Sequence, residues 1–262
     1  MTEPATSPRA SLRRQRLRDA TAEEIKAVAR RLMASEGTSS LNLRAVAREM
    51  GMTPSALYRY FPSRDAILTA LIADAYDAVG EAVEEAVAAA PQDRTVSAML
   101  AAVHTFRRWA VEHPQEFGLI YGTPVPGYEA PEEETLAAAM RTGEVLLTQL
   151  EWGIREGIVR LPPDDSIPDD LREAVRDVAA HKGHDLSPAG AAVAMQFWLV
   201  LLGALSAEVF GHAPPALIAK GEAFFDHTMR RALVAIGVDP AAVDAAVSPS
   251  SPGGVTPGRG SR

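Results

Sequence analysis

The stretch Leu43–Leu68, LRAVAREMGMTPSALYRYFPSRDAIL, decides the reading of this chain. Asn42, just before it, is a good N-cap. Leu43, Val46, Ala47 and Met50 then recur at helical spacing, and Gly51 supplies a left-handed stop. Thr53 is placed to cap a second helix, with Pro54 in its first position, where a missing N–H costs nothing. That helix, SALYRYF, is short and ends at Pro62. Ser63 caps a longer one, with Ile67, Leu68, Leu71, Ile72 and Ala75 on one face and a continuation towards Ala90. Two short helices joined by a brief, Gly-started turn cannot lie antiparallel; they cross steeply. Residues 42–61 are therefore predicted to be a helix-turn-helix, whose second helix enters the DNA major groove.

The residue types suit that task. Ser55 and Ala56 let the second helix approach base edges closely, and Ala56 suits a thymine methyl. Thr53 and Ser55 offer hydroxyls to a phosphate or base. Tyr58, Arg59 and Tyr60 sit on a helix that needs only Leu57 and Phe61 for packing, and the tyrosine hydroxyls can reach phosphates. Arg44 and Arg64 each open a helix, where the N-terminal dipole adds to the side-chain charge.

Upstream, Thr21 and Glu24 read as a capping box. Ile25, Val28, Ala29, Leu32 and Met33 form the apolar stripe of a first helix that Gly37 stops. A three-helix DNA-binding domain over residues 20–66 follows. Residues 1–19 are expected to be a disordered arm carrying Arg13, Arg14, Arg16 and Arg18.

Charge supports the division. The whole chain of 262 residues carries −8, which alone argues against nucleic acid. Residues 1–64, however, hold 12 Lys and Arg against 6 Asp and Glu, and the remainder 14 against 28. A phosphate backbone senses the local field of the basic first quarter. The absence of cysteine excludes disulfides, thiolate metal sites and thiol nucleophiles, and fits a cytoplasmic protein. The N-terminus shows no apolar run of the secretory kind.

Beyond Pro91, helices are predicted at about 95–112, 114–121, 133–156, 166–181, 188–211 and 214–236, with loops at YGTPVPGYEAP and VRLPPDD. The fold class is all-α: an N-terminal helix-turn-helix domain joined by a long helix to an α-helical body over residues 67–238, with a disordered tail at 239–262. The run from Ala189 to Leu205 is almost apolar enough to span a bilayer. Gln196, Glu208 and the abundance of Ala and Gly instead suggest a helix buried in a protein interface.

Leu43–Leu68 resembles the signature of the tetracycline-repressor (TetR/AcrR) family, most specifically in YRYFPSRDAIL, and EEIKAVARRLMASEGTSSLN resembles that family's first helix. The segment FRRWAVEHPQEFGLIYG resembles a C-terminal subtype within the family, the WHG type. The resemblance implies phosphate contact for Arg44; bases or adjacent backbone for Thr53, Ser55 and Ala56; and phosphate or thymine for Tyr58 and Tyr60. Arg64 stands where Lys is usual, and Tyr60 where His is common. The N-terminal arginines match no fixed pattern; they enter a minor groove or add nonspecific affinity.

The resemblance further implies a ligand-responsive repressor, released from a palindromic operator by an unknown small-molecule effector. The operator is double-stranded DNA. The protein is expected to be a homodimer through helices 188–211 and 214–236. Val103, Phe106, Trp109, Phe117, Tyr121, Met140, Trp152 and Phe197 are the candidate effector-pocket residues, together with Met99 and Trp198, and His104, His113 and Gln149 are candidate polar anchors. No cofactor, metal or membrane is expected. The alternatives are an activating or architectural DNA-binding protein without an effector and, further off, an enzyme. His181 and His184 hint at metal, but Gly183 between them points to a loop and no third ligand is placed. No nucleotide-binding loop or nucleophile motif occurs.

Overall fold

A computed structural model describes residues 8–37, 41–91, 95–180, 184 and 186–246. Its helices are α1 (Pro8–Glu36), α2 (Leu43–Glu49), α3 (Pro54–Leu57), α4 (Arg64–Ala89), α5 (Thr95–Glu112), α6 (Pro114–Tyr121), α7 (Glu132–Arg155), α8 (Asp169–Ala180), α9 (Pro188–Val209), α10 (Pro215–Ile218), α11 (Gly221–Ala235) and α12 (Pro240–Ala245). Among the described residues there is no strand, only one bridge between Val159 and Val238. The fold is all-α, as the periodicity requires.

The local signals act as read around the helix-turn-helix. Asn42, Thr53 and Ser63 each accept a backbone N–H three residues ahead, from Ala45, Ala56 and Ala66. Gly51 takes φ +64°, a left-handed conformation costly for any side chain, and so turns α2 towards α3.

Four expectations need correction. Residues 8–19, expected to be disordered, are the opening turns of α1. Thr21 does not cap that helix; its hydroxyl donates back to the Leu17 carbonyl at 2.9 Å, inside the helix. Residues 240–245 of the expected tail form α12, which buries Val243 against the body. The predicted helix at 214–236 is two, α10 and α11, broken around Ala219–Lys220. Residues 247–262 and 1–7 lie outside the described residues.

Two apolar cores result. The first gathers Ile25, Val28 and Met33 of α1, Val46, Leu57, and Ile67, Leu68 and Leu71 of α4. The second takes Ala75, Val79 and Val83 further along α4, with Phe106, Phe117, Leu201, Leu205 and Met229. Thus α4 belongs to both.

The junction is tied in two further ways. Asp74 of α4 accepts from Lys26 at 2.6 Å and from Arg30 at 2.7 Å, both on α1, and Arg30 lies 3.9 Å from Glu116 of α6. Burial pulls the Lys26 ammonium down, but hydrogen bonds to Asp74 and Glu23 outweigh it and raise its pKa. The loop after α6 also reaches over the first core: Val125 is buried there, and the Tyr128 hydroxyl meets that of Thr69 at 2.9 Å.

Candidate DNA-binding surface and ligand cavity

The side chains expected to meet DNA occupy α2, α3 and their flanks. Arg44 lies exposed in the first turn of α2, and Arg59 is exposed beyond α3. The Thr53 hydroxyl accepts from the Ala56 N–H at 3.3 Å and meets the Ser55 hydroxyl at 3.2 Å, so the two form one polar edge at the start of α3. Tyr58 is 48% exposed. The α-helical part of this unit is shorter than SALYRYF suggested: it ends at Leu57, and a tighter turn carries the chain through Tyr60.

Two residues are more committed to packing than expected. The Tyr60 ring lies against the first core alongside Phe61. Arg64 is half-buried, and its Nε donates to the Leu41 carbonyl at 3.0 Å, bracing the entry to α2. One contact had no sequence signal: Arg18 Nη2, in the opening part of α1, donates to the Arg59 carbonyl at 3.3 Å.

The body contains a cavity of about 200 Å3 between α5, α7 and α9. Met99, Ala139, Met140, Gly143, Leu146, Leu147 and Leu150 form one side; Ala191, Ala194, Met195, Phe197 and Trp198 face them, with Leu186 and Ile236 at the edges. No lining side chain is ionisable. Of the expected pocket residues, Met140 and Phe197 line it, as do Met99 and Trp198.

The others lie elsewhere. Val103, Phe106, Trp109 and Phe117 are buried core. Phe106, Phe117 and Tyr121 pack ring on ring, with centroids 5.4–6.4 Å apart. Burial and then Tyr76 push the Tyr121 phenol well above its ordinary range. Trp152 is 46% exposed on the outer face of α7. These aromatics shared the helical spacing of a pocket wall, but close packing fills the space between them. The rest of the wall was legible: with Met140, the residues Ala139, Gly143, Leu146, Leu147 and Leu150 are an apolar stripe on α7.

The expected polar anchors also lie outside the cavity. His104 Nε2 meets Asp226 at 3.0 Å in a separate open cleft, and His113 packs on Trp109 with centroids 5.6 Å apart. Gln149 is not among the lining residues. His184 faces Glu151 at 3.2 Å; His181, Gly183 and Asp185 lie outside the described residues.

On the surface of the body, Leu199 is 61% exposed and Val200 42% on α9, while Phe224 is 45% exposed on α11. Leu217, Ile218, Ala204 and Phe224 share a shallow groove. Helix α9 is long and apolar enough to cross a bilayer by length and composition, but it buries one face in the body core.

Comparison with known proteins agrees with both halves. The profile of bacterial regulatory proteins of the tetR family matches residues 25–71, and that of the tetracyclin repressor-like C-terminal domain matches residues 99–232. The chain belongs to the TetR family. HTH-type transcriptional regulators of Mycobacterium tuberculosis and Mycobacterium bovis are 33% identical to it over 224 residues, covering 86% of this chain and 95% of theirs. The crystal structure of the regulatory protein SCO4313 superposes with a TM-score of 0.68 at 30% identity, covering 84% of this chain and 98% of that one. RolR in complex with resorcinol shares the TetR fold at a TM-score of 0.53 and 18% identity, covering 90% and 97%. The protein is thus a DNA-binding transcriptional regulator of the TetR family, with a helix-turn-helix and a helical C-terminal domain.

Proposed function

We propose that this regulator is a cytoplasmic repressor. It binds a palindromic operator as a homodimer and is released by a small, uncharged, apolar effector. The observation that carries the reading is the helix-turn-helix surface. Arg44, Thr53, Ser55, Tyr58 and Arg59 are all exposed around one short, small-residue helix, with Ala56 partly so, on a basic module. Arg44, Tyr58 and Arg59 are assigned to phosphates, and Thr53, Ser55 and Ala56 to base edges or adjacent backbone. Tyr60 and Arg64 contribute chiefly by holding that surface in place.

The effector assignment rests on the cavity. A dry 150 Å3 apolar cavity accommodates benzene, so about 200 Å3 walled by leucine, methionine and aromatic side chains suits a somewhat larger neutral molecule. A charged ligand would lose its hydration with no partner in return. Within this fold, RolR was solved with resorcinol, a small neutral aromatic. The exposed apolar residues of α9 to α11 favour the homodimer, since monomers seldom leave such a face open. Effector binding acts by population shift, altering the spacing of the two recognition units through α4; such couplings are typically worth about 1–3 kcal/mol.

Selection of bound sequences from random DNA tests the reading. Enrichment of inverted half-sites, centred about one or more helical turns apart, is expected. No enrichment, or a single unpaired site, contradicts it.

A further inference from the structure

The opening of α1 has a surface that the helix-turn-helix reading leaves unused. Residues 9 and 11–20 are exposed, so this part of the helix buries little against its own chain. It carries Arg9, Arg13, Arg14, Arg16 and Arg18. Arg9, Arg13 and Arg16 fall on one stripe by their i, i+4, i+7 spacing; Arg14 and Arg18 fall on another. Among the described residues, Arg9, Arg13, Arg14 and Arg16 have no carboxylate partner. The i, i+4 pairs Arg9/Arg13 and Arg14/Arg18 are like-charged and repel. Leu12 and Leu17 are exposed here too, so this self-repelling stretch gains little from its own chain. It is complementary to a polyanion.

Its position names the polyanion. Arg18 Nη2 donates to the Arg59 carbonyl, so the basic helix starts beside the recognition unit itself. Arg14 shares the Arg18 face about 6 Å further out, and Arg9 lies about 14 Å out, at 1.5 Å per residue. We propose that the first turns of α1 are a second DNA-contacting element. They lie along the duplex that flanks each operator half-site and bind its phosphates through Arg9, Arg13, Arg14 and Arg16. Phosphate contacts made this way position the protein without reading bases. The inference rests on the helix-turn-helix reading and extends its footprint.

The test uses the full-length chain and a variant with Arg9→Gln, Arg13→Gln, Arg14→Gln and Arg16→Gln. Affinity is measured against salt on the selected operator, with and without ten extra base pairs on each side. One phosphate contact per subunit in a dimer is worth about 2 units of log K against log salt. The variant is expected to show a slope shallower by about 2 or more. It should also lose the gain that flanking duplex gives the intact chain, while keeping half-site preference, melting temperature and dimer mass. An unchanged slope overturns the proposal. So does a loss confined to one base position, which would place the arginines on base edges. So does loss of binding to anionic vesicles with flank-dependent DNA binding intact. Arg44→Ala is the companion: if it weakens binding while the quadruple variant leaves the slope unchanged, the helix-turn-helix reading stands and this one falls. Failure of the intact chain to bind any DNA removes both.

Discussion

Asp74→Asn tests whether the two halves of the molecule are joined as described. The carboxylate accepts from Lys26 at 2.6 Å and from Arg30 at 2.7 Å, and Lys26 is only 8% exposed. Removing one partner of a fully buried pair costs about 3–5 kcal/mol, because a charge is left without compensation. Two features reduce that here. Asp74 and Arg30 side chains are each 32% exposed, so water screens them, and Glu23 remains 2.8 Å from Lys26. A loss of about 1–2 kcal/mol is expected, a drop in melting temperature of roughly 2–8 °C for a chain of this length. Urea unfolding of the variant against the intact protein measures it. Lys26→Met combined with Asp74→Leu removes the buried charge as well as its partner. That double variant should recover much of the loss, as replaced buried pairs often do. A single-variant loss under about 0.3 kcal/mol, or a double variant less stable than Asp74→Asn, would refute the reasoning.

Arg44→Ala and Tyr58→Phe should weaken operator binding several-fold and leave dimer mass unchanged by sedimentation; dissolution of the dimer by either would contradict the division of labour along the chain. Ala139→Leu projects a larger side chain into the cavity and should abolish protection from heat by neutral apolar probes such as ethylbenzene, with operator affinity retained; the same probe should outbind benzoate on the intact protein by tenfold or more, and equal binding would count against an uncharged effector. In acid, two pairs give way together. Burial raises the Asp226 pKa but the hydrogen bond from Arg230 outweighs it, and the Arg141 hydrogen bond lowers that of Glu84. Both folded values lie below the unfolded ones, so their contribution is complete above the ordinary carboxylate range and lost as pH falls through the depressed values. Urea midpoints should therefore hold between pH 7 and 5 and fall below about 4, and Glu84→Gln should flatten that fall.

What the sequence made legible was local. The caps at Asn42, Thr53 and Ser63 and the left-handed Gly51 are decided by neighbours within four residues, so the helix-turn-helix could be read directly. Helix α5 was bounded correctly for the same reason. What failed depended on partners far along the chain. Thr21 and Glu24 form an acceptable capping box, but Arg18 finds the Arg59 carbonyl 41 residues away, and α1 runs on through the box. YGTPVPGYEAP reads as a turn, and nothing in it announces that Val125 and Tyr128 will seal the first core. The aromatic residues of α5 and α6 had the spacing of a pocket wall; only packing reveals that they fill their space, while Ala139 and Gly143 leave theirs empty. A cavity is the absence of side chains, and the residues that create one are small.

That distinction places the cavity and the DNA surface in physical relation. Trp198 lines the cavity and packs on Phe106 and Tyr121, with ring centroids 6.2 and 6.1 Å away. Tyr121 ends α6 and meets Tyr76 of α4 edge-on at 5.7 Å. Tyr76 in turn donates to the Ile120 carbonyl, and the loop that follows carries Tyr128 to Thr69. Each step is a close-packed contact, and densely packed interiors transmit strain because they cannot absorb it. Contiguity alone does not make a switch; both ligands must also bias one element between two arrangements. Helix α4 has the features such an element needs. It is shared by both cores, and it is held to α1 by Asp74, whose charge pairs have alternatives in water. An apolar ligand seated against Trp198 reaches α4 along the aromatic column and also through α7, which lines the cavity and holds Glu84 of α4 by Arg141 at 2.6 Å. Loss of the aromatic column, for instance in Tyr121→Ala, should therefore weaken the coupling of ligand binding to operator release, whereas loss of Asp74 should weaken the operator-bound arrangement with or without ligand.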